Sequence, residues 1–277
     1  MDAPVPVDLN ATAPATPSDA AVPPGVVVTP AQPTGTPLPA PPTATPSASA
    51  PRPTPPPKPA LKTTLASTPT VNCRTHKCVA LTFDDGPLSH TPAMLDLLAK
   101  EKVHATFFVI GENVKDRPDL VKKMVKAGHA VGSHSYSHPD LTKLTAAQIR
   151  SQLTSTSALI TQATGMPVTL MRPPYGASNP TVRSVDKELG LTQILWSVDP
   201  TDWRDHNASL IAKRVLANVR PGSIVLSHDI YSATHDAYAI IIPALRKKGY
   251  TFVTVPQLLG TTAPGSTYSQ LEQSRRA

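Results

Sequence analysis

Two carboxylates stand side by side at Asp84-Asp85, and two histidines lie four residues apart at His134 and His138. On a helical turn that spacing puts both imidazoles on one face, where they can grip one ion. With a carboxylate from Asp84 or Asp85 they make a two-histidine, one-carboxylate set that leaves positions open for water and substrate. Successive side chains of a strand point to opposite faces, so the two acids differ in direction unless the chain turns at them. Gly86-Pro87 supplies a turn there. Two acids aimed differently suit two jobs, for instance one metal ligand and one proton acceptor.

The elements that must carry these residues alternate along the chain. Residues 79–83 read as a buried strand with the carboxylates at its C-terminal tip. Residues 91–102 place Met94, Leu95, Leu97 and Leu98 on helical spacing, and residues 105–110 form a second strand. A helix over 119–127 ends at Gly128, and a third strand over 130–132 runs straight to His134. The longest helix opens at Leu144-Thr145, with Thr145 as N-cap and Ile149, Leu153, Leu159 and Ile160 as its buried stripe, and stops at Gly165. Further strands are expected over 168–171, 193–198, 223–227 and 251–255. Between them come helices over 181–189, from a cap at Asn207 or Ser209 to 219, and over 238–248.

Such alternation implies parallel strands joined by right-handed crossovers. Polar clusters follow five different strands, each at its C-terminal end, and a barrel brings all such ends to one face, whereas an open sheet gathers them at one switch point. The expected fold is α/β, a distorted and incomplete (β/α) barrel of about seven parallel strands, preceded by a disordered Pro-rich segment.

The 277-residue chain is uneven in composition: 19 of its 33 prolines fall in the first 60 positions, and no Phe, Trp or Tyr occurs before residue 71. A segment of that kind cannot bury enough apolar surface to offset the entropy of ordering, so 1–70 is expected to be a linker. The expected domain covers 71–262, with a polar tail over 263–277. The linker's charges balance, which leaves 23 basic against 16 acidic residues beyond it. That excess favours anionic surroundings, but no basic run with interleaved aromatics points to nucleic acid. No run of 18 apolar residues would span a bilayer. Residues 1–20 lack the basic start and apolar core of a signal peptide, although Pro/Thr/Ala/Ser linkers of this kind fit an exported protein. Cys73 and Cys78, the only cysteines, are too few for a closed zinc site even with His76, and a small disulfide loop at the entry to the first strand is expected.

The motifs T-F-D-D-G-P, H-S-Y-S-H-P, R-P-P-Y-G, D-P-T-D-W and L-S-H-D occur in that order. Together they resemble the five motifs of the polysaccharide deacetylases with a NodB homology domain, carbohydrate esterase family 4, over about residues 71–259. The lead C-R-T-H-K-C-V-A-L is similar to that of exported actinobacterial members, some of which deacetylate peptidoglycan. The resemblance implies that Asp85, His134 and His138 hold a divalent metal, zinc first, with cobalt or another transition metal as the other choice. It implies that Asp84 is the general base and that Arg172 lies against it. Tyr175 would offer its backbone N–H to the oxyanion, and His228 would protonate the leaving amine, oriented by Asp202 or alternatively by Asp199. Trp203 and Leu226 would wall the acetyl methyl pocket.

The expected activity is metal-dependent removal of N-acetyl groups from N-acetylglucosamine polymers, peptidoglycan or chitin oligomers, at the cell envelope or outside the cell; the sequence says nothing of oligomeric state, and a monomer is assumed. The alternatives are O-deacetylation of acetylxylan and a catalytically silent sugar-binding module. His129 is expected to be structural. His76, His90, His104, His206 and His235 lack partner spacing, and Tyr136 borders the groove without a catalytic role.

Overall fold

The computed structural model of the chain describes residues 71–271. The expectations for 1–70 and 272–277 lie outside the described residues. β1 (Cys78–Asp84) is buried along its whole length, and its side chains divide by the period of two. Val79, Leu81 and Phe83 enter one apolar cluster, and Cys78 and Ala80 enter another. Thr82 and Asp84 continue the second row, so Asp84 faces the same side as Ala80.

β2 (Thr106–Val109) pairs with β1 in the register Thr82↔Thr106 to Asp84↔Phe108. β3 (Ala130–Ser133), β4 (Leu170–Met171) and β5 (Thr192–Ile194) follow outward in order, every pairing parallel. β6 (Ile224–Val225) pairs with the other side of β1, whereas β7 (Thr251–Val253) pairs with the first residues of β1, Cys78 to Ala80, on the side that β2 takes further along. A parallel bridge from Val198, just beyond β5, to Val225 curls the sheet back on itself. The architecture is the expected distorted barrel of seven parallel strands, incomplete because so few residues close it. β8 (Thr267–Tyr268), within the segment read from sequence as a polar tail, adds to the far edge of β5.

The helices cover the outside. α1 (Thr91–Lys100), α2 (Gly111–Asp116) and α3 (Pro118–Lys126) come first, then α4 (Ala146–Thr164) and α5 (Pro180–Leu189). α6 (Asp202–Asp205), α7 (Ala208–Asn218), α8 (Ser232–Lys247) and α9 (Val255–Leu259) complete the set. Thr145 caps α4 in a reciprocal capping box with Gln148, and Gly165 ends it in a left-handed conformation. Asn207, not Ser209, caps α7. α8 starts six residues before the expected 238, because Ser232 to Asp236 carry little of the apolar periodicity that marks a helix. It packs Tyr238 edge-on against Phe83 at 4.9 Å, and Phe107 lies 5.3 Å from the same ring. Each such buried ring contributes about 1.5–3 kcal/mol, which fixes β1 and hence the strand tip that carries the acids.

A disulfide joins Cys73 to Cys78 at the entry to β1. The unfolded, unreduced protein is expected to give no signal with a chromogenic thiol reagent, and a reading of two thiols per chain would contradict the bond. His129 is buried, accepts from the Ala105 N–H and stands edge-on to Phe107, a structural position as expected. No helix among the described residues is long and apolar enough to cross a membrane.

Candidate active site

A cavity of about 410 Å³ opens at the C-terminal ends of the strands, lined by Asp84, Asp85, His134, His138, Tyr175, Trp203, Leu226 and His228 among others. The two acids separate because the backbone turns at Asp85 itself, which has φ 71°, one residue earlier than the Gly86-Pro87 turn expected from sequence. Gly86 must lack a side chain: a Cβ there would stand 2.6 Å from the Asp229 carboxylate.

His134 and His138 converge, but not through a helical turn. Ser135 and His138 have positive φ, and the segment between the histidines is a loop. Gln152 on α4 staples it by accepting from the Tyr136 and Ser137 amides at 2.8 and 2.9 Å, and the Gly111 and Glu112 amides donate to the Ser135 and Tyr136 carbonyls. The Nε2 atoms of the two imidazoles end 3.2 Å apart, each 3.5 Å from Asp85 Oδ1. His134 Nδ1 lies 2.7 Å from the Arg172 carbonyl, which assigns the proton to Nδ1 and leaves the Nε2 lone pair facing the cavity. Burial lowers His134 to about 3, so it stays neutral, as a ligand must be.

Arg172 follows β4 on the same face as Leu170, which places it inside the barrel and fully buried. Its guanidinium donates to Asp84 Oδ1 at 2.7 Å, to Thr82 Oγ1 and to the Ile194 and Leu195 carbonyls. The rings of Phe108 and Trp196 lie 4.3 and 5.5 Å from it. Burial raises the Asp84 carboxyl above its ordinary range, while the charge and hydrogen bond of Arg172 oppose the rise. The outcome is a carboxylate more basic than a solvated one.

Across the cavity, His228 Nδ1 meets Asp202 Oδ1 at 2.9 Å, and Asp202 Oδ2 accepts from the His228 amide and from Thr234. Asp199, the other partner weighed from sequence, accepts from the Thr201 amide instead. Burial acts to lower the His228 pKa, but the hydrogen bond and charge of Asp202, with the charges of Asp84 and Asp85, raise it to about 9. Tyr175 sits on the rim in a left-handed conformation and is 70% exposed; Trp203 is 48% exposed, and Leu226 is buried at the wall.

Residues 71–194 match the family described as polysaccharide deacetylase. The chain is 46% identical over 188 residues to a peptidoglycan-N-acetylglucosamine deacetylase of Listeria monocytogenes, a match over 68% of this chain and 40% of that protein. It is 38% identical to a chitooligosaccharide deacetylase of Bradyrhizobium, over 66% of this chain and 90% of the relative. The chain belongs to the polysaccharide deacetylase family. Among solved structures, one described as a T48 deacetylase with substrate matches with a TM-score of 0.69 and 42% identity, over 72% of this chain and all of that one. The chain spans about two fifths of the length of the Listeria relative.

Several residues that build the site were missed in sequence. Trp196 lines the cavity and lies by Arg172, yet in Q-I-L-W-S-V it reads as one more apolar strand residue. Counting by twos from Ile194 would have found it. Gln152 reads as the polar face of a helix, and Thr82 as a β-branched strand residue.

The donor set fits a divalent metal. Asp85 Oδ1 is buried without a hydrogen-bond partner, and it, His134 and His138 each aim a ligand atom at one point, all within 4.8 Å of one another. Two nitrogens and one oxygen suit zinc and its transition-metal neighbours better than magnesium or calcium.

Proposed function

We propose that the chain is a metal-dependent hydrolase that removes N-acetyl groups from N-acetylglucosamine-containing wall polysaccharide, peptidoglycan first and chitin-type oligomers second, acting at or beyond the cell envelope. The observation that carries this reading is one cavity with the Asp85, His134, His138 ligand set at its floor, a proton acceptor on one side and a proton donor on the other. A module that only bound sugar would need neither of the last two.

When bound, a zinc-class ion supplies Lewis acidity that makes water easier to deprotonate and the acetyl carbonyl easier to attack. Asp84 accepts the proton of the attacking water on the oxygen not pinned by Arg172. Tyr175 offers its backbone N–H to the developing oxyanion, a contribution of the kind worth about 3–4 kcal/mol in acyl transfer. His228, protonated, delivers its proton to the departing amine, which would otherwise be too basic to leave. Trp203 and Leu226 enclose the methyl group and exclude water.

Asp202→Asn is expected to move the basic limb of the kcat profile down in pH. His228 is the charged acid only below its folded pKa, and without the Asp202 carboxylate the lowering effect of burial gains the upper hand. The parent limb should lie at or below pH 9, since a cation on Asp85 also lowers it. An unshifted limb in the variant would remove His228 from the role of acid.

The reading as a whole is tested by acetate release from N-acetylated peptidoglycan, chitooligosaccharides and acetylxylan in parallel. Release from the amino sugar polymers is expected. Release from acetylxylan alone would make the protein an O-esterase, and no release from any of them, with zinc bound, would make it a binding module.

A further inference from the structure

The turn that presents Asp85 is held from outside the ligand set. Asp85 occupies the left-handed region, which a residue with a side chain keeps only when its surroundings enforce it. Asn113, half-buried in α2, donates from Nδ2 to the Asp85 carbonyl at 2.7 Å. The Ile110 amide donates to the Gly86 carbonyl at 3.1 Å. From the other end the Leu88 amide donates to Thr91 Oγ1 at 2.8 Å, and that buried hydroxyl donates to Asp229, whose carboxylate fills the space that a side chain at Gly86 would need.

We propose that Asn113 is a positioning residue for the metal site, fixing the Asp85 backbone so that Oδ1 is already in place before an ion arrives. This role for Asn113 presupposes that Asp85 is a ligand, as in the proposed function. Of the three grips on the turn, the Asn113 amide is the only side chain that bonds to the ligand's own peptide group. The histidine loop is held by the Gln152 staple, the α2 backbone amides of Gly111 and Glu112 and the Arg172 carbonyl, none of which uses the Asn113 side chain, so its loss reaches the Asp85 peptide alone. Without Asn113 the Asp85 carbonyl loses its side-chain partner, and with only the Ile110 amide and the Asp229 contact left on Gly86 the turn departs more often from the left-handed region, carrying Oδ1 away from the two imidazoles. Binding an ion would then require the turn to be reordered first, and affinity falls by the fraction of time it is misplaced.

The test is zinc affinity, measured on the full chain by competition with a chromogenic chelator, beside the melting of the metal-stripped protein. Asn113→Ala is expected to weaken zinc by about 10–100-fold, the usual size for a residue that orients a ligand, with the melting of the stripped protein unchanged. Asn113→Asp keeps the shape and adds a negative charge near the site, so charge alone would tighten zinc, whereas loss of the donor weakens it. Unaltered affinity in Asn113→Ala, tighter binding in Asn113→Asp, or a weakening that merely follows lowered melting of the stripped protein would each overturn the proposal. Asp85→Ala run alongside separates the two levels: if it too leaves zinc affinity unchanged, the ligand reading itself has failed.

Discussion

Asp84→Asn is expected to lower acetate release by about 10²–10⁴-fold at saturating substrate while zinc remains bound, because the variant loses the proton acceptor and keeps the three ligands. The geometry separates the two acids. Asp84 is 2% exposed, with Oδ1 given to Arg172, and its Oδ2 lies 3.7 Å from His134 Nε2, slightly farther than the 3.5 Å from Asp85 Oδ1 to each imidazole. Asparagine matches the shape of aspartate but cannot take a proton, and nothing else on that side of the cavity replaces it. The measurement is kcat together with zinc content. Loss of zinc with the activity would mean that the two carboxylates exchange the roles assigned here.

Arg172→Met is expected to be the most destabilising single change near the site. The side chain is fully buried and makes four hydrogen bonds, so its removal takes a donor from two carbonyls and the Asp84 carboxylate, while the Thr82 hydroxyl keeps only its bond to the Val225 carbonyl. Breaking a buried ion pair by removing one partner costs about 3–5 kcal/mol, a fall of about 6–20 °C in the melting midpoint of a domain this size. Lysine should not rescue it, since a single ammonium can neither fork to four acceptors nor lie flat by Phe108 and Trp196. Removing the cation also lets burial raise the Asp84 carboxyl further, so the base ionises only at higher pH and the acidic limb of the kcat profile should shift upward. Melting within a degree or two of the parent would show that the site tolerates an unpaired Asp84.

What could be read from sequence follows from where the physics is local. The strand tip at Asp84-Asp85 was legible because β1 is a continuous apolar run with a turn signal behind it, and the capping box of α4 because Thr145 and Gln148 stand at the required spacing. The spacing of His134 and His138 suggested a helical turn, and the structure uses a loop instead. Its conformation depends on Gln152, a partner 14 to 18 residues away that no local pattern reveals. The pairing of Asp202, and not Asp199, with His228 also depended on a distant partner, the backbone and ring of a residue beyond β6. Strands β5 and β6 end sooner than their apolar runs, where the chain leaves the ladder to bring Trp196 and Leu226 to the cavity, whereas β4 ends where expected and lacks the first two residues of its run. β8 was invisible: two residues in a Ser/Thr/Gly-rich stretch carry no periodicity, and its register is set by β5.

In the proposed mechanism one metal, held by Asp85, His134 and His138, serves hydrolysis of an N-acetyl group. Its most direct test is acetate release from a defined chitooligosaccharide by the metal-stripped protein, before and after one equivalent of zinc, with Asp85→Ala treated in the same way. No release is expected from the stripped protein, with recovery on adding zinc and no recovery in Asp85→Ala. Full release from the stripped protein, or equal recovery in the variant, would contradict it.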